Sequence, residues 1–156
     1  MLTPLHSVAG PRPGARDIAA VLVGGALGTT LRVLVDAALP HSPTQFAVST
    51  LLVNTFGAFL LGLLVAALWP RVPGWARAGL GAGLLGSFTT FSALAISVVA
   101  LSEAGDAPLA VVTVVASLAL GLLAAGAGLS LGRGLGNRLG PGGTATHETP
   151  LDEVTE

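Results

Sequence analysis

The chain has 156 residues, of which 52% are hydrophobic and only 10% charged, with a formal net charge of -1. Soluble domains carry about a quarter charged residues, so this composition points to a membrane helix bundle with no room for a second domain beside it. Cysteine is absent, which excludes disulfides, thiol catalysis and cysteine-bound metals, and no basic aromatic surface offers itself to nucleic acid.

Residues 1–17 hold Pro4, Pro11 and Pro13 together with Gly10 and Gly14, and no apolar stretch follows a basic start. They are expected to form a disordered tail rather than a cleavable signal peptide. A four-helix transmembrane domain is expected over residues 18–132. Its first span, residues 18–39, contains Gly24 and Gly28, four apart and so on one face, where they permit close helix approach. The second span, residues 46–69, carries the small-residue stripe Ala58, Gly62 and Ala66, and Trp69 and Trp75 flank the following loop as interfacial anchors do. The third span, residues 76–101, is polar at its centre, where Ser87, Thr89, Thr90 and Ser92 cluster behind Gly83 and Gly86. Glycine and adjacent β-branched threonines weaken a helix. The expectation is a helix broken at or near residues 86–90, with freed backbone satisfied by protein, water or an ion. The alternative is a continuous helix whose hydroxyls bond back to their own carbonyls. The fourth span, residues 108–131, places Ser117, Gly121 and Ala125 on one face and Ala124, Gly128 and Gly132 on another. Residues 133–156 are expected to be a second disordered tail.

Four spans put both termini on one side. Arg12, Arg16, Arg71, Arg77, Arg133 and Arg138 then share that side, and the opposite loops have no arginine. The positive-inside rule assigns both termini to the cytoplasm.

Within the spans, Asn54 and Thr50 lie one turn apart on one face. Asn54 serves either as interhelical glue or as an anion donor, because a small, strongly hydrated anion needs hydrogen-bond donors in place of water. Phe88 and Phe91 are core residues by default, yet ring edges are positive and can face an anion. Arg32 sits near the end of the first span, where it either snorkels or carries function, and Asp36 is placed to pair with it.

The run Gly83-x-x-Gly86-x-Phe88-Thr89-Thr90-Phe91-Ser92 resembles the signature of the Fluc/CrcB fluoride-channel family. The segments 24–32 and 49–59 support it in the right order, and the resemblance covers about residues 20–130. It implies an all-α membrane protein with four transmembrane helices, the third broken at its centre, that works as an antiparallel dimer. Asn54 matches the asparagine facing the fluoride path. Phe91 matches the first of two path phenylalanines; the second position is Leu94 here, and Ala93 replaces a threonine. Gly86 and Thr89 match positions whose backbone carbonyls hold a structural, untransported sodium ion, with Ser87 replacing the usual glycine between them. Arg32 matches a family arginine with a vestibule or structural role. Ser117 matches a serine of the fourth helix, whereas Thr113 stands where a tyrosine is usual. The implied fluoride path runs over Asn54, Thr50, Phe91, Thr90 and Ser117.

The implied activity is passive export of cytoplasmic fluoride, not catalysis, with fluoride, membrane lipid and an antiparallel partner subunit as partners and no nucleic acid. Dual insertion needs a weak arginine bias, and six against none is strong. The expected partner is therefore a homologous second chain, making this one half of a heterodimer. The alternative function is a small multidrug exporter of the dual-topology type. It would want a membrane carboxylate as proton site, and the only acid near a span is Asp36, close to a helix end. A membrane enzyme is disfavoured because His6, His41 and His147 are scattered outside the spans.

Overall fold

The structure, a computed structural model, describes residues 13–40, 42, 45–138 and 140. Among the described residues all regular structure is helical: α1 (Ala15–Ala38), α2 (Val48–Ala67), α3 (Gly74–Ala78), a π-helical stretch (Gly79–Leu85), α4 (Gly86–Phe88), α5 (Phe91–Glu103) and α6 (Ala107–Arg138). Four stretches are long and apolar enough to cross a membrane: Ala15–Ala38, Val48–Ala67, Gly74–Glu103 and Ala107–Arg138. Only 11% of the most apolar window of α1, and 11% of that of α6, is buried within the chain. Leu22, Val23, Leu122 and Leu123 all stand exposed. Apolar surface on this scale belongs against lipid or another chain, and the protein is a multi-pass membrane protein.

Local chemistry explains the helix ends. Asp17 Oδ2 accepts the Gly14 N–H at 2.8 Å and starts α1. Asp106 Oδ1 accepts the Leu109 N–H at 3.1 Å and starts α6, after a turn in which Gly105 takes φ +82°, a conformation that favours glycine. The expected tails begin too close to the spans: α1 starts at Ala15, and α6 runs to Arg138 before Gly140 adopts φ +82°. Arginine and leucine sustain a helix where hydrocarbon no longer requires one. The remainder of both expected tails, and all three histidines, lie outside the described residues.

Small residues set the packing. α1 lies against the π-helical stretch and α4, and α2 lies along α6, which also contacts α5. At Gly24 a Cβ would run into the Gly79 carbonyl oxygen and sit 2.9 Å from Leu84 N; at Gly28 it would meet the Leu84 carbonyl and lie 3.0 Å from Phe88 N. Gly62 and Gly128 make equally close approaches between α2 and α6. Gly121, on an expected stripe, meets nothing within 4 Å.

The third span is irregular at two levels. Its glycine-rich first half is wound wide, the Gly86 N–H donating back to Gly81 O; such π segments recur at functional sites. After Phe88 the backbone turns extended at Thr89 (φ -75°, ψ 154°) and Thr90 (φ -147°, ψ 118°), and helical geometry resumes at Phe91. Thr90 caps the second part, its Oγ1 accepting the Ala93 N–H at 3.2 Å.

Candidate functional site

An open groove of about 780 Å³ runs along the third span, facing α2 and α6. Asn54, Gly86, Thr89, Thr90, Phe91 and Ser117 all line it. These residues come from three of the four spans and are the greater part of the set singled out from sequence. Thr50 does not line the groove; it is buried one turn before Asn54. Arg32 lies elsewhere, half-buried on α1, and forms no ion pair with Asp36 among the described residues.

The polar centre is organised by one side chain. The Thr90 N–H donates to Asn54 Oδ1 at 2.8 Å, and Asn54 Nδ2 donates to the Thr90 carbonyl at 2.9 Å. The amide thus pairs with a single residue's backbone from both sides, as a neighbouring strand would. In a continuous helix the Thr90 N–H would bond the Gly86 carbonyl. Here it turns to Asn54, and Gly86 O loses that partner. Glue and donor are therefore not exclusive roles for Asn54: its oxygen and one N–H hold Thr90, and its second N–H has no partner among the described residues.

The neighbouring hydroxyls divide. Thr89 Oγ1 bonds back to Leu85 O at 2.9 Å, as the back-bonding alternative anticipated for such hydroxyls, whereas Thr90 Oγ1 lies 3.1 Å from Ser92 Oγ and caps α5. The two phenylalanines divide as well. Phe88 is buried, edge-on to Phe56 with ring centroids 6.5 Å apart. Phe91 is 78% exposed and presents its ring to the groove. Leu94 is buried and also lines the groove, and Thr113 is buried with its hydroxyl on Leu109 O at 2.8 Å. Truncating Phe88 to alanine should cost about 3–5 kcal/mol, whereas Phe91→Ala should leave the unfolding midpoint in detergent nearly unchanged.

The remaining polar part of the lining was not expected from sequence: Trp69 and Arg77 line the groove as well. Sequence marks the first as a loop anchor and the second as a topology signal, and their proximity arises because the chain folds back between α2 and α3. Among the described residues Arg77 is the only formally charged one in the groove's lining, and no carboxylate shares it. The site therefore offers an amide N–H, hydroxyls, a ring edge and one guanidinium. It suits an anion better than a cation.

A family model described as CrcB-like protein, Camphor Resistance (CrcB), matches residues 19–129. A fluoride-specific ion channel FluC of Azotobacter vinelandii is 46% identical over 115 residues, spanning 72% of this chain and 93% of its own length. A protein of the same name from Pseudomonas putida is 44% identical over 119 residues, spanning 74% and 96%. Fluoride-specific ion channel FluC 1 of Mycobacterium tuberculosis is 39% identical over 116 residues, spanning 73% and 88%. The matched residues reach into all four spans and include every groove residue named above, and the chain belongs to the CrcB-like family.

Proposed function

We propose that the chain forms a fluoride-specific channel that lets cytoplasmic fluoride leave passively, and that the groove is one wall of the route. The observation that carries this reading is the lining of the groove: donors and a ring edge at mid-span, with no carboxylate among the described residues. A dehydrating anion needs such donors, and the inside-negative potential drives it outward. The names of the relatives point the same way. Along the route Asn54 offers its second N–H, Phe91 its ring edge, and Ser117 and Thr90 their hydroxyls, with Thr50 behind Asn54. Arg32 keeps a structural or vestibule role away from this wall.

The third span is taken to be a broken helix, a reading supported by the extended backbone of Thr89 and Thr90. The carbonyls of Gly86 and Thr89 are the groups that would hold a structural sodium ion. They fit in kind: the Gly86 oxygen has lost its helical partner to Asn54, and carbonyl oxygens suit a hard cation. Two oxygens make only part of a shell, so a second subunit would supply the rest, and the ion would join two chains without taking part in transport.

That second subunit would run antiparallel. Both termini of this chain would be cytoplasmic, since its arginines all favour one side. Because that bias fixes a single orientation, the partner is a homologous chain of opposite orientation, and Leu94 and Thr113 fit a subunit that has given up one of two routes.

The test is fluoride efflux from liposomes, with chloride as control. The chain alone should show no flux above empty liposomes, and co-reconstitution with an inverted homologous subunit should restore fluoride flux but not chloride flux. Robust flux from the chain alone would rule out the heterodimer. Absence of fluoride flux in both preparations would overturn the channel. In the active preparation Phe91→Ala should lower fluoride flux about tenfold, the loss of one good electrostatic contact of about 1.4 kcal/mol.

A further inference from the structure

A second cavity shares no lining residue with the groove. It has a volume of about 460 Å³, lies where α2 and α6 end, and is lined by Pro70, Arg71, Arg133, Gly136 and Asn137 among others. Arg71 is fixed in its wall: Nη1 donates to Ala67 O at 2.6 Å, and Nη2 to Gly136 O at 2.6 Å and Gly140 O at 2.7 Å. A guanidinium has five N–H groups, so two remain after these three bonds. The carbonyls it holds terminate two helices, where the dipoles are negative, and they keep its plane in one orientation. Arg133 and Asn137 are four apart on α6 and share a face. Both are exposed, and neither has a hydrogen bond or ion pair among the described residues. Among the described residues no carboxylate lines the cavity. Two guanidinium groups and an amide thus surround a concavity in which, among those residues, only the helix-end carbonyls held by Arg71 oppose their charge.

We propose that this cavity binds a phosphate group, supplied at that depth by the headgroup of an anionic membrane lipid. Arginine forks match phosphate oxygens, and basic pockets between transmembrane helices take anionic headgroups. The depth follows from the fold: α2 ends at Ala67, Pro70 follows, and the exposed Trp75 stands just past the loop, so the cavity opens where hydrocarbon gives way to headgroups. Arg133 and Asn137 would grip the phosphate, and Arg71 would shape the floor. The inference is independent of which ion the groove carries.

The full-length protein, purified in detergent, is offered equimolar phosphatidylglycerol and phosphatidylcholine, and retained lipid is counted by native mass spectrometry. Phosphatidylglycerol should be preferred, and Arg133→Ala should lower its retention about fivefold, the effect of one surface arginine. Asn137→Ala should lower it less. Arg138→Ala removes the same charge from the same helix end but outside the cavity, and should leave retention unchanged; the unfolding midpoint of each variant verifies its fold. Retention that persists in millimolar inorganic phosphate identifies the lipid as the source. Displacement by phosphate that also requires Arg133 supports the same chemistry with free phosphate as the source. No preference for phosphatidylglycerol, or equal losses from Arg133→Ala and Arg138→Ala, would overturn the site. A preference that emerges only after removal of residues 141–156, with their four carboxylates, would overturn it too, by showing the cavity to be filled by the chain's own acidic end.

Discussion

Asn54→Ala is expected to lower stability by about 1–3 kcal/mol and to reduce fluoride flux more than tenfold. The first figure comes from the Thr90 N–H, which belongs to a buried residue and has Asn54 Oδ1 as its partner. Leaving such a group unpaired costs about 1–3 kcal/mol. Hydrogen bonds between membrane helices often measure smaller, about 0.6 kcal/mol, because the separated helices find other partners. Here the other partner is specific: the Gly86 carbonyl could take the Thr90 N–H if the helix closed. Closure would recover part of the stability while removing the extended pair Thr89–Thr90 and withdrawing Gly86 O. Flux should therefore fall further than stability. Asn54→Asp separates the two roles, since it keeps an acceptor for Thr90 N–H but loses both donors and adds a negative charge beside the route. Its second oxygen would face the Thr90 carbonyl that Nδ2 now serves, so it should protect the Thr90 amide better than Asn54→Ala without restoring global stability, and show no anion flux. The checks are amide exchange at Thr90 and efflux from liposomes. Undiminished flux in Asn54→Ala, with Thr90 still protected, would remove Asn54 from the account.

Gly28→Ala should be more damaging to the fold than any exposed substitution in the chain, at about 2 kcal/mol or more. Its Cβ would meet backbone, the Leu84 carbonyl and Phe88 N, and backbone cannot rotate away as a side chain can. Overpacking of this kind costs about 1–3 kcal/mol or more, against about 1 kcal/mol gained in helix propensity, so the steric cost prevails. Gly128→Ala meets the Phe59 carbonyl and should behave alike. At Gly134 nothing lies within 4 Å, so Gly134→Ala should be neutral or stabilising by up to about 1 kcal/mol. Thermal unfolding in detergent reads all three. Equal midpoints for Gly28→Ala and Gly134→Ala would contradict the packing of α1 on the third span.

Composition and periodicity made much of this legible. Four apolar runs bounded by Gly, Pro and Trp gave the spans, and the polar cluster at residues 87–92 marked the middle of the third. Gly24 and Gly28 announced the close face of α1 by their spacing. What stayed hidden depends on contact between distant residues. Asn54 and Thr90 are 36 apart in sequence, and nothing local says that the amide meets that particular peptide. The π-helical winding of Gly79–Leu85 was also out of reach, because glycines signal weakness without specifying how it is used. Gly121 shows the reverse failure. It sits on a stripe with Ser117 and Ala125, yet a Cβ there would meet nothing within 4 Å, because helical spacing assigns a face without fixing how closely another helix approaches it. The length of α6 was underestimated because hydropathy ends where lipid does, while the helix continues to Arg138.

The wide winding ahead of Gly86 has a mechanical corollary. A π turn holds more residues than an α turn, so relaxing it to ordinary pitch would screw everything beyond it around the axis by about 100° per residue of slippage. One such step would carry Thr90 out of reach of the Asn54 amide. The element that resists the step is α1, whose Gly24 and Gly28 nest against the carbonyls of Gly79 and Leu84. A helix with no residue on the groove wall thereby acts as its phase lock.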